Sequence, residues 1–346
     1  MVTTGVRETV GQVIVSRRRV WRRTCCAAGV VAILLLSACS GSSAPKASST
    51  TSSAVFAPTT SGRSATSGVT LWAGKPVSTA AIPLGDGHLS SSPRIGYVDS
   101  CTSQFRRGGA QHSGPWLDSA AGSWDLKTKI DVQGSVSWPN ASHSFTLSGV
   151  ERILTTDDLP SGEPTGNFPI ASSDPAYAYD HNPNHIAAQS FTWTVPADPS
   201  AAASPSCLGL GPVGVSSDGV VFFDALDASG RDAGAHEIQD SCAGHPQMQG
   251  IYHYHTYSSC LGTGASDTAG SSILVGYGLD GYGIYLERDA NGNLPTDADL
   301  DPCHGRTSRV RWDGRSRVMY HYDITAEYPY TLGCYHGTPV NQRSAG

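Results

Sequence analysis

Short runs in which apolar and polar residues alternate recur along the chain and predict β-strands. Alternation with a period of two is expected of strands that bury one face. These runs lie at residues 134–138, 143–147 and 189–195. Two Asp-Gly pairs, Asp218-Gly219 and Asp280-Gly281, each lie between β-prone segments, which is a strong hairpin signal. Together with the lack of a helical period, the pattern predicts a mainly β fold: an antiparallel β-sandwich or a distorted barrel with long loops.

Composition narrows the fold class further. The 346 residues include 39 Gly and 21 Pro, and only 15% of the residues are charged. This composition excludes a coiled coil and a helical bundle. Residues 39–346 contain 17 Lys and Arg against 28 Asp and Glu. An acidic chain has no electrostatic attraction for a phosphate backbone, so nucleic acid is excluded as a partner.

The N-terminal 38 residues have the layout of a secretory signal peptide. A basic stretch at 17–23 precedes an apolar run at 27–36 that is too short to span a bilayer. The sequence Leu-Ser-Ala-Cys that ends at Cys39 resembles the lipobox of bacterial lipoproteins. That resemblance implies that Cys39 is lipidated and anchors the protein to the cell membrane, outside the cytoplasm. The alternative is a plain signal peptide in which Cys39 occurs by chance.

The segment after Cys39 differs in composition from the remainder of the chain. Residues 39–68 are rich in Ser, Thr and Ala and contain almost no large apolar residues. Such a segment buries too little surface to offset its ordering entropy, so we interpret it as a disordered tether. A single β-rich domain is predicted over residues 69–346.

Six cysteines remain after the signal peptide and Cys39. They are Cys101, Cys207, Cys242, Cys260, Cys303 and Cys334. An even number in an exported protein predicts up to three disulfides, although six cysteines allow 15 pairings. Pairing Cys242 with Cys260, or Cys303 with Cys334, would close a short loop around a His-rich motif. A Cys-based zinc site is disfavoured because residues 39–346 contain no C-x-x-C pair.

Histidines carry the candidate chemistry. In an extended strand, His253 and His255 project from one face with Cα atoms about 7 Å apart, so they can chelate one transition metal. A third ligand is expected from His245 or Asp280, and a fourth position is left for water or substrate. The alternative is that the histidines are structural and form hydrogen bonds between packed tyrosines.

The segment 320–323, Tyr-His-Tyr-Asp, repeats most of the Tyr-His-Tyr-His motif at 252–255. If the two segments are neighbouring strands, His321 and Asp323 face His253 and His255, which gives a site with three histidines and a carboxylate. Such ligands suit zinc, copper or non-haem iron about equally. The alternative is coincidence between two aromatic, β-prone strands.

Several ordered motifs resemble the YHYH domain family of exported bacterial proteins. They are Asp240-Ser-Cys-Ala-Gly-His245, Tyr252-His-Tyr-His255, Gly276-Tyr-Gly-Leu-Asp-Gly-Tyr-Gly-Ile-Tyr285, Leu300-Asp-Pro-Cys-His-Gly-Arg306, Tyr320-His-Tyr322 and Glu327-Tyr-Pro-Tyr-Thr-Leu-Gly-Cys-Tyr335. The resemblance extends over about 169–337. The family is named for a motif, so the resemblance implies no particular reaction.

Two functional hypotheses follow. In the first, the histidines hold a zinc, copper or iron ion whose open position permits hydrolytic or redox chemistry on a cell-envelope substrate. In the second, the protein is a non-catalytic module in which exposed tyrosines and tryptophans bind a cell-envelope glycan or protein. The sequence alone leaves open whether the protein is an enzyme.

Overall fold

The computed structural model describes residues 72–106, 108–261 and 267–340. The predicted signal peptide, the tether and Cys39 lie outside these residues. Within them the chain forms 18 β-strands, one four-residue α-helix and two 3-10 turns. No helix in the described part of the chain has the length and apolar character needed to cross a membrane.

The strands are two to nine residues long. They are β1 (Ile82–Pro83), β2 (Leu89–Ser90), β3 (Val98–Asp99), β4 (Leu117–Asp118), β5 (Ser123–Trp124), β6 (His143–Ser148), β7 (Glu151–Thr156), β8 (Phe191–Pro196), β9 (Ala201–Ser206), β10 (Gly214–Ser216), β11 (Val221–Phe222), β12 (Gly244–Pro246), β13 (Tyr252–Tyr254), β14 (Ser272–Gly278), β15 (Gly283–Glu287), β16 (Gly305–Trp312), β17 (Arg315–Asp323) and β18 (Tyr335–Gly337). The helix α1 spans Ala233–His236, and the 3-10 turns span Pro175–Ala178 and Asp297–Asp299.

An eight-stranded sheet forms the centre of the fold. Its strand order is β12-β13-β11-β10-β14-β15-β17-β16. Two neighbouring pairs, β11 with β13 and β15 with β17, are parallel, and the other pairs are antiparallel. Each parallel pair is joined by a connection long enough to cross over and return in the same direction. The mainly β prediction is confirmed, but this sheet is mixed rather than antiparallel and forms no closed barrel in the described residues.

The two predicted hairpins are present in this sheet. Strands β10 and β11 pair across the Asp218-Gly219 turn, and β14 and β15 pair across the Asp280-Gly281 turn. The φ angles of Gly219 and Gly281 are +95° and +91°. This left-handed region is open to glycine without steric cost, which explains the hairpin signal.

A second, three-stranded sheet of β6, β7 and β8 packs against the large sheet. Its strands contain two of the three predicted alternating runs, and every second residue of β8 is buried. The third run, at 134–138, forms only an isolated bridge between Val136 and Thr165. Gly134 has a φ of +138° in this segment, so the backbone there is not extended as a longer strand requires.

Arg152 joins the two sheets. Its side chain is almost fully buried, and its guanidinium lies over the rings of Tyr277 and Trp312 at 4.5 and 4.9 Å from their centroids. The same guanidinium forms a salt bridge of 2.9 Å with Asp313. The exposed carboxylate of Asp313 and two buried aromatic faces therefore compensate the Arg152 cation for its lost hydration.

Three disulfides use all six cysteines. They join Cys101 to Cys207, Cys242 to Cys260, and Cys303 to Cys334. The two short-loop pairings suggested by the sequence are both present, and each lies next to one of the two His-bearing strands. Cysteine ligation of zinc is thereby excluded for these residues, because a disulfide sulfur carries no thiolate.

Candidate metal centre

Three histidines converge at the edge of the large sheet. In the antiparallel pair β12–β13, His245 lies directly opposite His253. His255 follows His253 by two residues and faces the same side. The centroid of the His245 ring lies 4.5 Å from that of His253 and 5.5 Å from that of His255. One nitrogen from each ring lies within 4.8 Å of the others, and all three side chains are buried.

Hydrogen bonds fix which ring nitrogens face the centre. The Nδ1 atom of His253 lies 3.2 Å from the carbonyl oxygen of Ile251, and the Nδ1 atom of His255 contacts the carbonyl oxygen of Asp224. A carbonyl oxygen only accepts, so each Nδ1 carries the proton. The two Nε2 atoms then present lone pairs to each other at 3.0 Å. Such a pair repels unless a proton or a metal ion lies between the atoms.

Glu237 completes the cluster. Its Oε2 atom lies 3.1 Å from Nε2 of His245 and 3.3 Å from Nε2 of His255. Burial alone would raise the pKa of Glu237, but His245 and His255 hold that pKa well below its usual range. The carboxyl group is therefore ionised. Its charge balances positive charge at the centre, whether that charge is a proton or a metal ion.

The imidazoles respond to this environment in opposite directions. Burial lowers the pKa of His253 well below its usual value, and the imidazoles of His245 and His255 lower it further. Burial also acts to lower the pKa of His255, but the adjacent Glu237 raises it. His253 is consequently neutral, which is the state that binds a metal ion.

Glu237 is a member of this site that no sequence motif predicted. The residue follows helix α1, whose first turn is capped by the Asp232 carboxylate accepting from the Ala235 amide at 3.2 Å. The end of that short helix points Glu237 toward the histidines. No ligand-type spacing connects Glu237 to His245 or to His253, so only the long-range fold shows the contact.

Asp280 lies elsewhere, so its prediction as a third ligand is wrong. Its carboxylate accepts hydrogen bonds from the Tyr322 hydroxyl at 2.5 Å, the Gly337 amide at 2.9 Å and the Tyr282 amide at 3.3 Å. These bonds hold a turn on the opposite half of the sheet. Asp280 therefore stabilises the backbone and does not face the histidine cluster.

His321 is likewise separate from the first cluster. Strands β13 and β17 belong to the same sheet, but β11, β10, β14 and β15 lie between them. The expected pairing of the two Tyr-His-Tyr strands is therefore wrong. His321 forms a second cluster with Glu287 and Asp323, whose candidate ligand atoms also lie within 4.8 Å of one another.

The two clusters differ in charge. The Arg306 guanidinium forms salt bridges with the carboxylates of both Glu287 and Asp323. Among the described residues no arginine forms a salt bridge with the first cluster, where the Glu237 carboxylate lies within 3.3 Å of the Nε2 atoms of His245 and His255. The first cluster thus has the ligand types of a zinc, copper or iron site, whereas the second already contains a cation.

Comparison with known proteins gives one match. Residues 192–296 match the family model described as YHYH protein. No curated protein and no solved structure matches the chain. The matched segment contains the first histidine cluster and Glu237, but it ends before Arg306 and His321. Residues 192–296 are therefore similar to the YHYH family.

Proposed function

We propose that the protein binds one transition metal ion through His245, His253, His255 and Glu237. The observation that carries this proposal is the 3.0 Å approach of the His253 and His255 Nε2 atoms, whose Nδ1 partners are both backbone carbonyl oxygens. A metal-bound histidine commonly donates its second ring proton in this way, which fixes the tautomer that binds the metal.

The four groups supply a complete set of protein ligands. Three imidazoles and a carboxylate satisfy the four-coordinate geometry that zinc prefers, and they also suit iron and copper. Glu237 takes the fourth position, which the sequence analysis left for water or substrate. Because protein groups then fill all four positions, the arrangement favours stable retention of the metal. Hydrolytic or redox chemistry on a cell-envelope substrate then requires a fifth ligand or displacement of Glu237.

Export and anchoring belong to the same proposal. The lipobox-like segment at Cys39 supports attachment to the cell membrane, and residues 39–68 supply a tether. The three disulfides support an oxidising compartment outside the cytoplasm. In this proposal the metal centre lies outside the cytoplasm, in the cell envelope.

A second candidate is a non-catalytic binding module for a glycan or a protein. Its specific support is that Glu237 lies close enough to His245 and His255 to stabilise a proton instead of a metal ion. In that case the cluster is an internal ion pair that holds β12, β13 and α1 together.

Elemental analysis of the full-length exported protein, purified in detergent without a chelator, separates the two candidates. We expect close to one equivalent of metal in the wild type and none in a folded His253→Ala, His255→Ala double variant. The matched control is His112→Ala with His185→Ala, because both of these histidines are exposed. Absence of metal from the wild type after reconstitution with zinc, copper and iron would refute the metal proposal.

A further inference from the structure

The eight-stranded sheet consists of two halves with the same topology. Strands β10, β11, β13 and β12 are connected and paired in the same way as β14, β15, β17 and β16. The halves meet where β10 pairs with β14. At this seam the Leu279 amide donates to the Val213 carbonyl at 3.0 Å, and the Ser217 amide donates to the Val275 carbonyl at 2.7 Å. Val213 and Ser217 in the first half correspond to Val275 and Leu279 in the second. The two bonds are therefore equivalent, and the seam has local two-fold symmetry.

Both halves use the same carboxylate-centred loop. The Oδ1 atom of Asp240 accepts from the amides of Cys242 and Gly244 and from the Tyr252 hydroxyl, at 2.9 to 3.2 Å. The corresponding bonds in the second half, at 2.9 to 3.1 Å, join Asp301 to Cys303, Gly305 and Tyr320. The two loops therefore have equivalent residues at four positions.

Other features repeat with them. The residues before Gly244 and Gly305 both have positive φ angles, 59° at Ala243 and 70° at His304. A tyrosine on β13 or β17 donates to the aspartate of each hairpin turn, and these pairs are Tyr254 with Asp218 and Tyr322 with Asp280. Each half also has a disulfide that begins at the loop cysteine. The sheet is thus an internal duplication.

The duplication assigns an equivalent to each histidine of the first cluster. His253 corresponds to His321, and both Nδ1 atoms lie 3.2 Å from the carbonyl oxygen two residues earlier. His255 corresponds to Asp323. His245 corresponds to Arg306, because His245 lies opposite His253 and Arg306 lies opposite His321 in the strand registers.

Arg306 occupies the second pocket as a fixed cation. Its Nε atom donates to Asp323 at 2.8 Å, and a terminal nitrogen donates to Glu287. The Trp72 ring covers the guanidinium at 4.3 Å. The buried Nε2 atom of His321 lies 3.6 Å from a carboxylate oxygen of Glu287 and of Asp323, beyond hydrogen-bond distance. This Nε2 atom thus faces the pocket with no hydrogen-bond partner among the described residues.

We propose that Glu287, His321 and Asp323 form a second metal-type pocket that the Arg306 guanidinium closes, so that the chain binds one metal ion and not two. The total of one bound metal ion rests on the proposed function, in which the first cluster holds that ion. A guanidinium keeps its proton throughout the ordinary pH range, so it neutralises the two carboxylates permanently. A metal ion entering the pocket would have to displace the guanidinium, which would lose its salt bridges with Glu287 and Asp323 and its contact with the Trp72 ring.

The test replaces Arg306 by the residue found at the equivalent position. We expect Arg306→His in the full-length protein to bind one more equivalent of metal than the wild type. We also expect His321→Gln in the Arg306→His background to abolish the added equivalent. In the otherwise wild-type protein, His321→Gln should leave the metal content unchanged.

The outcomes separate this proposal from the proposed function. Metal in Arg306→His but none in the wild type supports the closed pocket and refutes the first metal site. Equal metal in a folded Arg306→His variant and the wild type refutes the closed pocket. If Arg306→His does not fold, the single His321→Gln variant still decides the point. Loss of metal from that variant, with the first cluster unaltered, would show that the second pocket is open in the wild type.

Discussion

The Tyr254 hydroxyl donates a hydrogen bond of 2.8 Å to the half-buried carboxylate of Asp218. Asp218 also accepts from the hydroxyl of Ser216 and the amide of Val220. This carboxylate therefore ties the β10–β11 turn to strand β13, which carries His253. The bond lies on the face of β13 opposite to the His253 side chain, and it makes no contact with the candidate ligands.

Tyr254→Phe should therefore lower stability without removing metal. Loss of a hydrogen bond to a charged carboxylate costs about 1.5–3 kcal/mol in the free energy of unfolding. Denaturant unfolding and elemental analysis check the two parts. The control is Tyr257→Phe, because the half-buried Tyr257 hydroxyl lies 3.4 Å from Asp267 and a weaker bond is lost. Wild-type stability in Tyr254→Phe would contradict the assigned role.

Gly244→Ala should disturb the metal centre through packing. A Cβ atom at this position would lie 2.2 Å from the Tyr252 ring, so ring or strand must move. Overpacking of this kind costs about 1–3 kcal/mol. Because His245 is the next residue, we also expect weaker metal binding, measured by competition with a chelator.

Gly314→Ala is the control for that substitution. Gly314 has a φ of +76° and no atom within 4 Å of an added Cβ, so alanine there adds backbone strain alone. The expected cost is about 1–2 kcal/mol, with metal affinity unchanged. The packing explanation fails if both variants bind metal as the wild type does.

Glu237→Gln should weaken metal binding with little change in shape. The substitution keeps the side-chain volume but removes the negative charge that lies 3.1 Å from His245 and 3.3 Å from His255. Substitutions around metal sites commonly reduce affinity by about 10–100-fold, and we expect a decrease of this order. Glu163→Gln is the control because Glu163 is exposed. Unchanged affinity in Glu237→Gln would exclude Glu237 as a ligand.

Lys129 should make stability depend on pH in alkaline solution. Burial lowers the pKa of its ammonium group from 10.5 to about 8, although Asp232 and Asp131 oppose the change. Between these pH values the unfolded chain holds a proton that the folded chain has released. The free energy of unfolding therefore rises with pH across this window.

Lys129→Met removes the titrating group and provides the comparison. We expect the rise between about pH 8 and 10.5 in the wild type to be reduced in this variant. Buried tyrosines such as Tyr252 and Tyr330 have raised pKa values, so ionisation of the same tyrosines in the unfolded chain lowers stability from about pH 10 upward. Their effect is common to both proteins. Parallel pH profiles for the two proteins would rule out Lys129 as the source.

Local patterns predicted the features that depend on local geometry. The Asp-Gly pairs identified both hairpins because their glycines adopt positive φ angles. The two-residue spacing of His253 and His255 predicted a shared face, and the structure places them there with His245. These conclusions needed only the period of a strand and the conformational freedom of glycine.

Long-range relationships were not accessible in the same way. Glu237 reaches the centre from a different segment, and its contact depends on how α1 is placed against β12. The repeated Tyr-His-Tyr motif indicated a relationship between 252–255 and 320–323, but strand period specifies a face and not a neighbour. The two segments hold equivalent positions in two halves rather than adjacent positions in one.

The carboxylates of Asp240 and Asp301 have a consequence for how this sheet can change. Each carboxylate accepts hydrogen bonds from its own loop and from a neighbouring tyrosine. Neither contacts the three equivalent pocket positions, which are His245, His253 and His255 in the first half and Arg306, His321 and Asp323 in the second. The same scaffold consequently carries three imidazoles in one half, and a guanidinium, an imidazole and a carboxylate in the other. The side chains that hold the loop are therefore different from the side chains that determine which cation each half contains. The side chains at these three positions are thus exchangeable between the halves without loss of the bonds that hold either loop, whereas Glu237 and Glu287 reach the two pockets from different elements.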